Sequence, residues 1–275
     1  MRFTPIFQFS IIPVFRSLVM LIDSHAHLEM PEFRKDLSEV LQRAKDSGIG
    51  YIFTVGTERK DWRRALEIAG SHPSVYAILG VHPHNAREID EKTYPALKEL
   101  CKHEKVKAYG EIGLDFFRNH SPRDVQLKRF REQIALAKEL RLPIVVHDRE
   151  AHQETLEILK SEKAGENGGI IHCFSGDEEM AKACIDMGFY ISIPGSITYK
   201  NAERFREIVK SLPLETLLVE TDAPFLTPVP FRGKRNEPSY VRYTAEKVAE
   251  IKKVSFEKVA EVTTENALRV YRLKV

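Results

Sequence analysis

Residues 21–28 read Leu-Ile-Asp-Ser-His-Ala-His-Leu. A short apolar run ends in two histidines two positions apart, and this stretch decides between two parallel α/β architectures. In an open doubly wound sheet, the turn after the first strand usually holds a glycine-rich loop that cradles phosphate. Here that place holds His25-Ala26-His27. On an extended chain the two-residue spacing turns both imidazoles to one side. In a closed barrel, the C-terminal ends of all strands form a single mouth, and such residues gather there.

Similar short, near-continuously apolar runs recur at 51–55, 75–79, 106–109, 143–146, 169–171, 189–193 and 217–219. That pattern suits strands buried on both faces of a parallel sheet. Helical periodicity lies between them. Leu37, Val40, Leu41 and Ala44 follow it, as do Leu127, Phe130, Ile134 and Ala137, and also Met180, Ala183, Cys184 and Met187. The second of these predicts Ser121 as N-cap, Pro122 as first helical residue and Asp124 in the first turn. Two helical segments end the chain, the last expected to start near Thr263 or Thr264. Eight strands alternating with helices over about 255 residues predict one (β/α)8 TIM-type barrel over residues 20–275.

The chain has 275 residues, 43% hydrophobic and 30% charged, which supplies a large core and excludes a disordered chain. Residues 1–19 are apolar but broken by Pro5, Pro13 and Arg16, so they do not read as a membrane span of about 20 apolar residues. No small-x-small cleavage site precedes Met20, which argues against a signal peptide. The expectation is an extraneous leader, with Met20 the natural start. The net charge is +2, and the leader's Arg2 and Arg16 account for it. The body is therefore neutral and lacks the global basic excess of a protein that coats nucleic acid. Cys101, Cys173 and Cys184 form no CxxC pair and no even-numbered disulfide framework. This favours a reducing, cytoplasmic setting.

The strand ends carry the unusual residues. They are His25 and His27 after the first, His82 and His84 after the third, and Glu111 and Asp115 after the fourth. His147 closes the fifth, His172 the sixth, and Glu220-Thr221-Asp222 the eighth. In a closed barrel His25, His27, Glu111, His147, His172 and Asp222 converge on one mouth. Convergent imidazoles and carboxylates without a cation would be costly to bury, so they predict a metal site. Cys173, next to His172 on a strand, is expected to face away as buried packing. His84 reads equally as substrate-facing or as a loop residue, and Asp115 as a residue supporting the ligands or a turn residue.

These segments, with Gly80-Val81-His82-Pro83-His84, His172-Cys173-Phe174-Ser175-Gly176 and Phe231-Arg232-Gly233-Lys234-Arg235-Asn236-Glu237-Pro238, resemble the TatD family of metal-dependent deoxyribonucleases over about residues 20–273. That family belongs to the amidohydrolase-like barrels. Where many of those carry a carboxylated lysine after strand four, this sequence has Glu111, as the TatD family does. The sequence departs from the family's often glycine-rich run after strand seven, where it reads Ile193-Pro194-Gly195-Ser196. The resemblance implies two divalent cations. His25, His27 and Asp222 would hold one, His147 and His172 the other, and Glu111 would bridge them. Zn, Mg, Mn and Ni are all compatible. It also implies Asp222 as general base, hydrolysis of phosphodiesters at DNA ends, and His82, Arg232, Lys234 and Arg235 as groups that meet phosphate. A neutral body with a local grip suits a short single-stranded end, and no membrane partner is implied. Rival readings are a metal-dependent amidase, deacylase or lactonase on the same barrel, and a non-catalytic metal-binding protein.

If residues 1–19 are a leader, a chain beginning at Met20 folds and retains activity. Loss of soluble, active protein on that truncation contradicts the reading.

Overall fold

The computed structural model describes residues 20–273. The expectation about the leader falls on residues 1–19, outside the described residues. Eight strands follow one another around a single parallel sheet: β1 (Leu21–Ala26), β2 (Ile49–Gly56), β3 (Val75–Leu79), β4 (Val106–Asp115), β5 (Ile144–Arg149), β6 (Gly169–Ile171), β7 (Phe189–Ile193) and β8 (Leu217–Val219). The backbone beyond β8 closes the ring onto β1. His27 N–H donates to the Ala223 carbonyl at 2.7 Å, and Asp222 N–H to the His25 carbonyl at 2.9 Å. The architecture is the (β/α)8 barrel that the strand rhythm predicts.

Helices α1 (Leu37–Asp46), α2 (Arg59–Ser71), α3 (Thr93–Leu100), α4 (Arg123–Leu140), α5 (His152–Ser161), α6 (Glu178–Asp186), α7 (Glu203–Ser211) and α8 (Val241–Lys252) alternate with the strands, and α9 (Phe256–Val270) ends the chain. They bury the expected faces. Val40 and Ala44 of α1, and Phe130, Ile134 and Ala137 of α4, are all in the layer between sheet and helices. No helix among the described residues is long and apolar enough to cross a membrane.

A second apolar cluster fills the barrel. It takes Ile22, Phe53, Ile78, Val145, Ile170 and Leu218 from six different strands, which only the inner face of a closed sheet can bring together. Tyr271, beyond α9, joins it. Its ring stacks on Phe53 at 3.5 Å and its hydroxyl donates to the Ser24 carbonyl at 2.8 Å. Strand alternation then sets the next layer up. Two residues beyond Val145 is His147, beyond Ile170 is His172, and beyond Leu218 is Glu220. The apolar plug thus becomes the floor of a polar mouth.

Three local expectations are corrected. The cap position of α4 is Pro122, one residue later than expected. Ser121 instead accepts Arg87 N–H at 3.1 Å and donates to the His84 carbonyl at 2.8 Å, tying two mouth loops together. The last helix starts at Phe256, capped by Ser255, whose hydroxyl accepts Lys258 N–H at 3.1 Å. Thr263 lies mid-helix because its hydroxyl donates back to the Val259 carbonyl at 2.8 Å, an alternative to capping. Strands β4 and β5 also run on to Asp115 and Arg149, so Glu111 and His147 sit within rigid strands and not in loops.

Gly113 makes that extension possible. Its φ is 143°, and a Cβ there would lie 2.0 Å from the His147 carbonyl oxygen. Gly113→Ala must push β4 from β5 beside a mouth histidine. The expected loss of stability is about 1–3 kcal/mol, as for overpacking, read by urea unfolding. An unchanged midpoint would show that the two strands are not held at this spacing.

Candidate metal centre

Glu111 is the centre of the mouth. It is buried, and every ion-pair partner of its carboxylate among the described residues is a histidine. Oε2 lies 3.4 Å from His25 Nε2 and 3.9 Å from His27 Nε2. Oε1 lies 2.6 Å from His147 Nδ1, 3.5 Å from His172 Nε2 and 3.3 Å from His82 Nε2. One carboxylate oxygen therefore faces the β1 histidines and the other faces those of β5 and β6. Asp222 completes the first group, its Oδ1 3.4 Å from His27 Nε2 and 4.0 Å from His25 Nε2. The structure brings together all six residues expected to bind metal.

The far nitrogens of His27, His147 and His172 each face a carboxylate, while His25 Nδ1 is buried with no hydrogen-bond partner among the described residues. His27 Nδ1 is 3.1 Å from Glu29 Oε1, and Glu29 is fixed in turn by the Thr54 hydroxyl at 3.0 Å. His147 Nε2 is 3.1 Å from Asp115 Oδ2, which also lies 2.9 Å from His84 Nε2. His172 Nδ1 is 3.0 Å from Glu220 Oε1. Such carboxylates fix the tautomer and aim the opposite nitrogen, which is the arrangement metal-ligating histidines need. Asp115 thus does both things expected of it: Oδ2 meets His147 and His84, and Oδ1 accepts Arg118 N–H at 2.7 Å in the turn after β4. Glu29 keeps the two-residue spacing of His25 and His27 in the sequence, although it lies in the turn beyond β1. Glu220 stands inside a quoted motif, but its role appears only when β6 and β8 are brought together.

The electrostatics ask for cations. Burial raises the pKa of Glu111, but the histidines around it outweigh that and hold it well below the usual carboxylate range. Burial lowers His147 and His172, yet Asp115 and Glu111 raise the first, and Glu220 and Glu111 the second, to about 9 each. The same charges that hold protons on these rings would hold a metal in their place, since metal and proton compete for the ligand nitrogen. Imidazole nitrogens and carboxylate oxygens 3.4–4.0 Å apart around His25, His27, Glu111 and Asp222 also match an ion's needs. An ion about 2.0–2.2 Å from each ligand sets neighbouring donors about 3 Å apart and opposed ones about 4 Å apart. The residues fit divalent metal.

His82 differs from the other rings. Its Nδ1 accepts His84 N–H at 3.1 Å, so the ring proton sits on Nε2, facing Glu111. Burial pushes its pKa down to about 4. It is a neutral donor inside the mouth and not a cation at the rim. Cys173 needs a correction. Strand β6 ends at Ile171, and Cys173 has a left-handed φ of 46°, which breaks the alternation. Its sulfur joins atoms of His172 and Asp222 within 4.8 Å of one another. Burial holds the thiol protonated.

The expected phosphate cations also sort differently. Arg235 is committed elsewhere: it makes two bonds to Asp36, at 2.8 and 2.6 Å, and donates to the Glu32 carbonyl. The sequence reading expects Arg235 to meet phosphate, and here its guanidinium is already paired with Asp36. Arg232 lies over the Tyr199 ring at 4.4 Å, and Lys234 is exposed. None of the three lines the cavity of about 650 Å³ above Glu111, whereas Arg118 and Arg149, which sequence reading missed, both do. They lie 31 residues apart, Arg118 just beyond β4 and Arg149 at the end of β5, and only the pairing of those strands makes them neighbours.

A (β/α)8 barrel whose mouth gathers histidines and carboxylates in this way has the make-up of a metal-binding active site. The comparisons narrow the class. Residues 22–272 match the family described as TatD related DNase. Over 254 residues the chain is 50% identical to the uncharacterised metal-dependent hydrolase YabD of Bacillus subtilis, covering 92% of this chain and 100% of that protein. It is 34% identical to a protein of Erwinia tasmaniensis named 3'-5' ssDNA/RNA exonuclease TatD, covering 92% and 100%. The crystal structure of the TatD homologue YjjV of Escherichia coli superposes with a TM-score of 0.87 at 31% identity, covering 92% and 98%. The chain belongs to the TatD family of metal-dependent hydrolases.

Asp115→Asn tests the support beneath the centre. It keeps the size of the side chain but weakens the hold on His147, so affinity for divalent metal should fall about 10- to 100-fold. Metal titration checks this, and unchanged affinity would remove Asp115 from the account.

Proposed function

We propose that this chain hydrolyses phosphodiester bonds at nucleic-acid ends, with single-stranded DNA as a substrate. The observation that carries the proposal is Glu111, whose two oxygens face two separate histidine groups 2.6–3.9 Å away. His25, His27 and Asp222 are assigned to one divalent cation, His147 and His172 to a second, and Glu111 to both. Two cations so placed would supply Lewis acidity toward a phosphoryl oxygen and toward the attacking water. The name of the Erwinia relative supports the same substrate class.

The residues divide the work. Asp222 lines the cavity, and its backbone is fixed by donation from its N–H to the His25 carbonyl. Burial raises its pKa, but His27 and the other histidines outweigh this and hold it ionised. Its carboxylate accepts the proton as water's oxygen bonds to phosphorus. The bond from phosphorus to the ester oxygen breaks, and that oxygen takes up the proton that Asp222 then releases, leaving a phosphomonoester and a free hydroxyl. His82 lines the cavity, and its one ring proton, at Nε2 and facing Glu111, would be shared with the same phosphate. Exposed Arg232 and Lys234 lie farther out and would meet more distant phosphates. Arg235 would act only indirectly, since Asp36 already holds its guanidinium.

Asp222→Asn separates proton transfer from metal holding. At saturating metal, turnover on a short single-stranded oligonucleotide should fall about 10²–10⁴-fold, the usual loss for acid–base help. Near-normal turnover would remove Asp222 as base. A substrate panel that also contains acyl esters, amides and lactones tests the class: hydrolysis of those in preference to the oligonucleotide would contradict the nuclease reading.

A further inference from the structure

Two exposed aromatic side chains flank the mouth: Phe225 lines its cavity, and Phe117 lies against Arg149 and Arg118, which line it. Among the described residues, the large apolar side chains most exposed are Phe117, at 57%, and Phe225, at 48%. Phe117 follows β4, and Phe225 follows β8. In a ring ordered β1 to β8, the β4–β5 pair lies across from the β8–β1 seam. Phe225 lines the cavity, with its ring 6.2 Å from that of His27 in an edge arrangement. Phe117 carries the Arg149 guanidinium 4.1 Å from its centroid, with Arg118 at 5.7 Å. Both arginines are exposed, line the same cavity and form no ion pair with a carboxylate among the described residues. Glu111, His27, His147 and His172 line the same cavity as Phe225 and the two arginines.

Phe225 presents a flat apolar face to the cavity, and Phe117 presents one beside two arginines that line it, which suits a ligand with flat apolar faces. Uncompensated guanidinium groups against one of them add an anion to that ligand. Nucleotides carry both features. Base–aromatic stacking is tolerant of sequence because every base has a π-face, and Arg recognises phosphate.

We propose that Phe117, Arg118 and Arg149 on one side and Phe225 on the other form two nucleotide subsites that span the scissile phosphate of an unpaired strand. One base stacks on Phe225, the base across the scissile bond stacks on Phe117, and the phosphate beyond it meets Arg118 and Arg149. The intervening phosphate is thereby set over Glu111 and Asp222. The bases must be splayed apart to reach opposite walls, so the device selects unpaired ends over duplex. This rests on the nuclease reading above and gives it a substrate-binding surface.

The test pairs variants with substrates. Phe117→Ala and Phe225→Ala are assayed on a short single-stranded oligodeoxynucleotide, and on the same oligonucleotide with a tetrahydrofuran residue replacing either nucleotide next to the scissile bond. Each variant should raise KM about 5- to 150-fold on the full substrate, the range set by loss of one base stack. The loss falls on KM more than on kcat because stacking acts in the ground state as well. Removing the matching base should impose the same penalty on wild type and no further penalty on that variant. Phe117→Trp and Phe225→Trp should restore binding, and metal content measured alongside reports that the centre is intact. Wild-type KM in both alanine variants, or full additivity between variant and missing base, overturns the subsites while leaving the nuclease reading in place. Failure of wild type to cleave the oligonucleotide overturns both.

Discussion

Glu111 sits buried in the neck of a closed barrel, and its charge must be met there. A bare carboxylate in that position would cost several kcal/mol. No lysine or arginine among the described residues comes within ion-pair reach of it; five histidines do. Imidazoles can balance a carboxylate either by taking protons or by sharing cations with it. The far nitrogens of His27, His147 and His172 are held by Glu29, Asp115 and Glu220, which adds negative charge around the nest and deepens its demand for cations. The rest of the mouth depends on this one constraint.

The barrel supplies the means. Inward positions of successive strands form an apolar layer capped by Tyr271, and the same alternation lifts His147, His172 and Glu220 into the layer above. Ligands on rigid strands keep their spacing without help from loops. Beyond the ligands, the strand ends and the loops after them present Phe117, Arg118, Arg149 and Phe225, the groups proposed to meet substrate. Shared chemistry in the strands and adaptable recognition in the loops is the division of labour expected of this architecture.

Much of this was legible in the sequence. Apolar runs at a strand-and-helix rhythm gave the barrel, and polar residues at the ends of those runs gave the six candidate ligands, because alternation and closure together fix where such residues go. What was not legible depended on contacts between distant segments or on local backbone. Glu220 pairs with His172 only through the neighbouring positions of β6 and β8. Arg118 and Arg149 meet because β4 and β5 extend further than their apolar runs. Arg235 reads as a free cation until Asp36, 199 residues away, is found beside it. Cys173 was misjudged because alternation stops where the strand stops and a left-handed residue turns the side chain inward.

The central claim is that Glu111 holds two cations in one nest. Metal analysis of the purified chain after equilibration with a divalent metal and removal of the excess, with Glu111→Gln beside wild type, tests it most directly. The account predicts about two ions per wild-type chain and loss of both from the variant under the same conditions, because the bridging charge serves both groups. A variant that keeps two ions at wild-type affinity would show that Glu111 bridges nothing, and the account would fail at its centre.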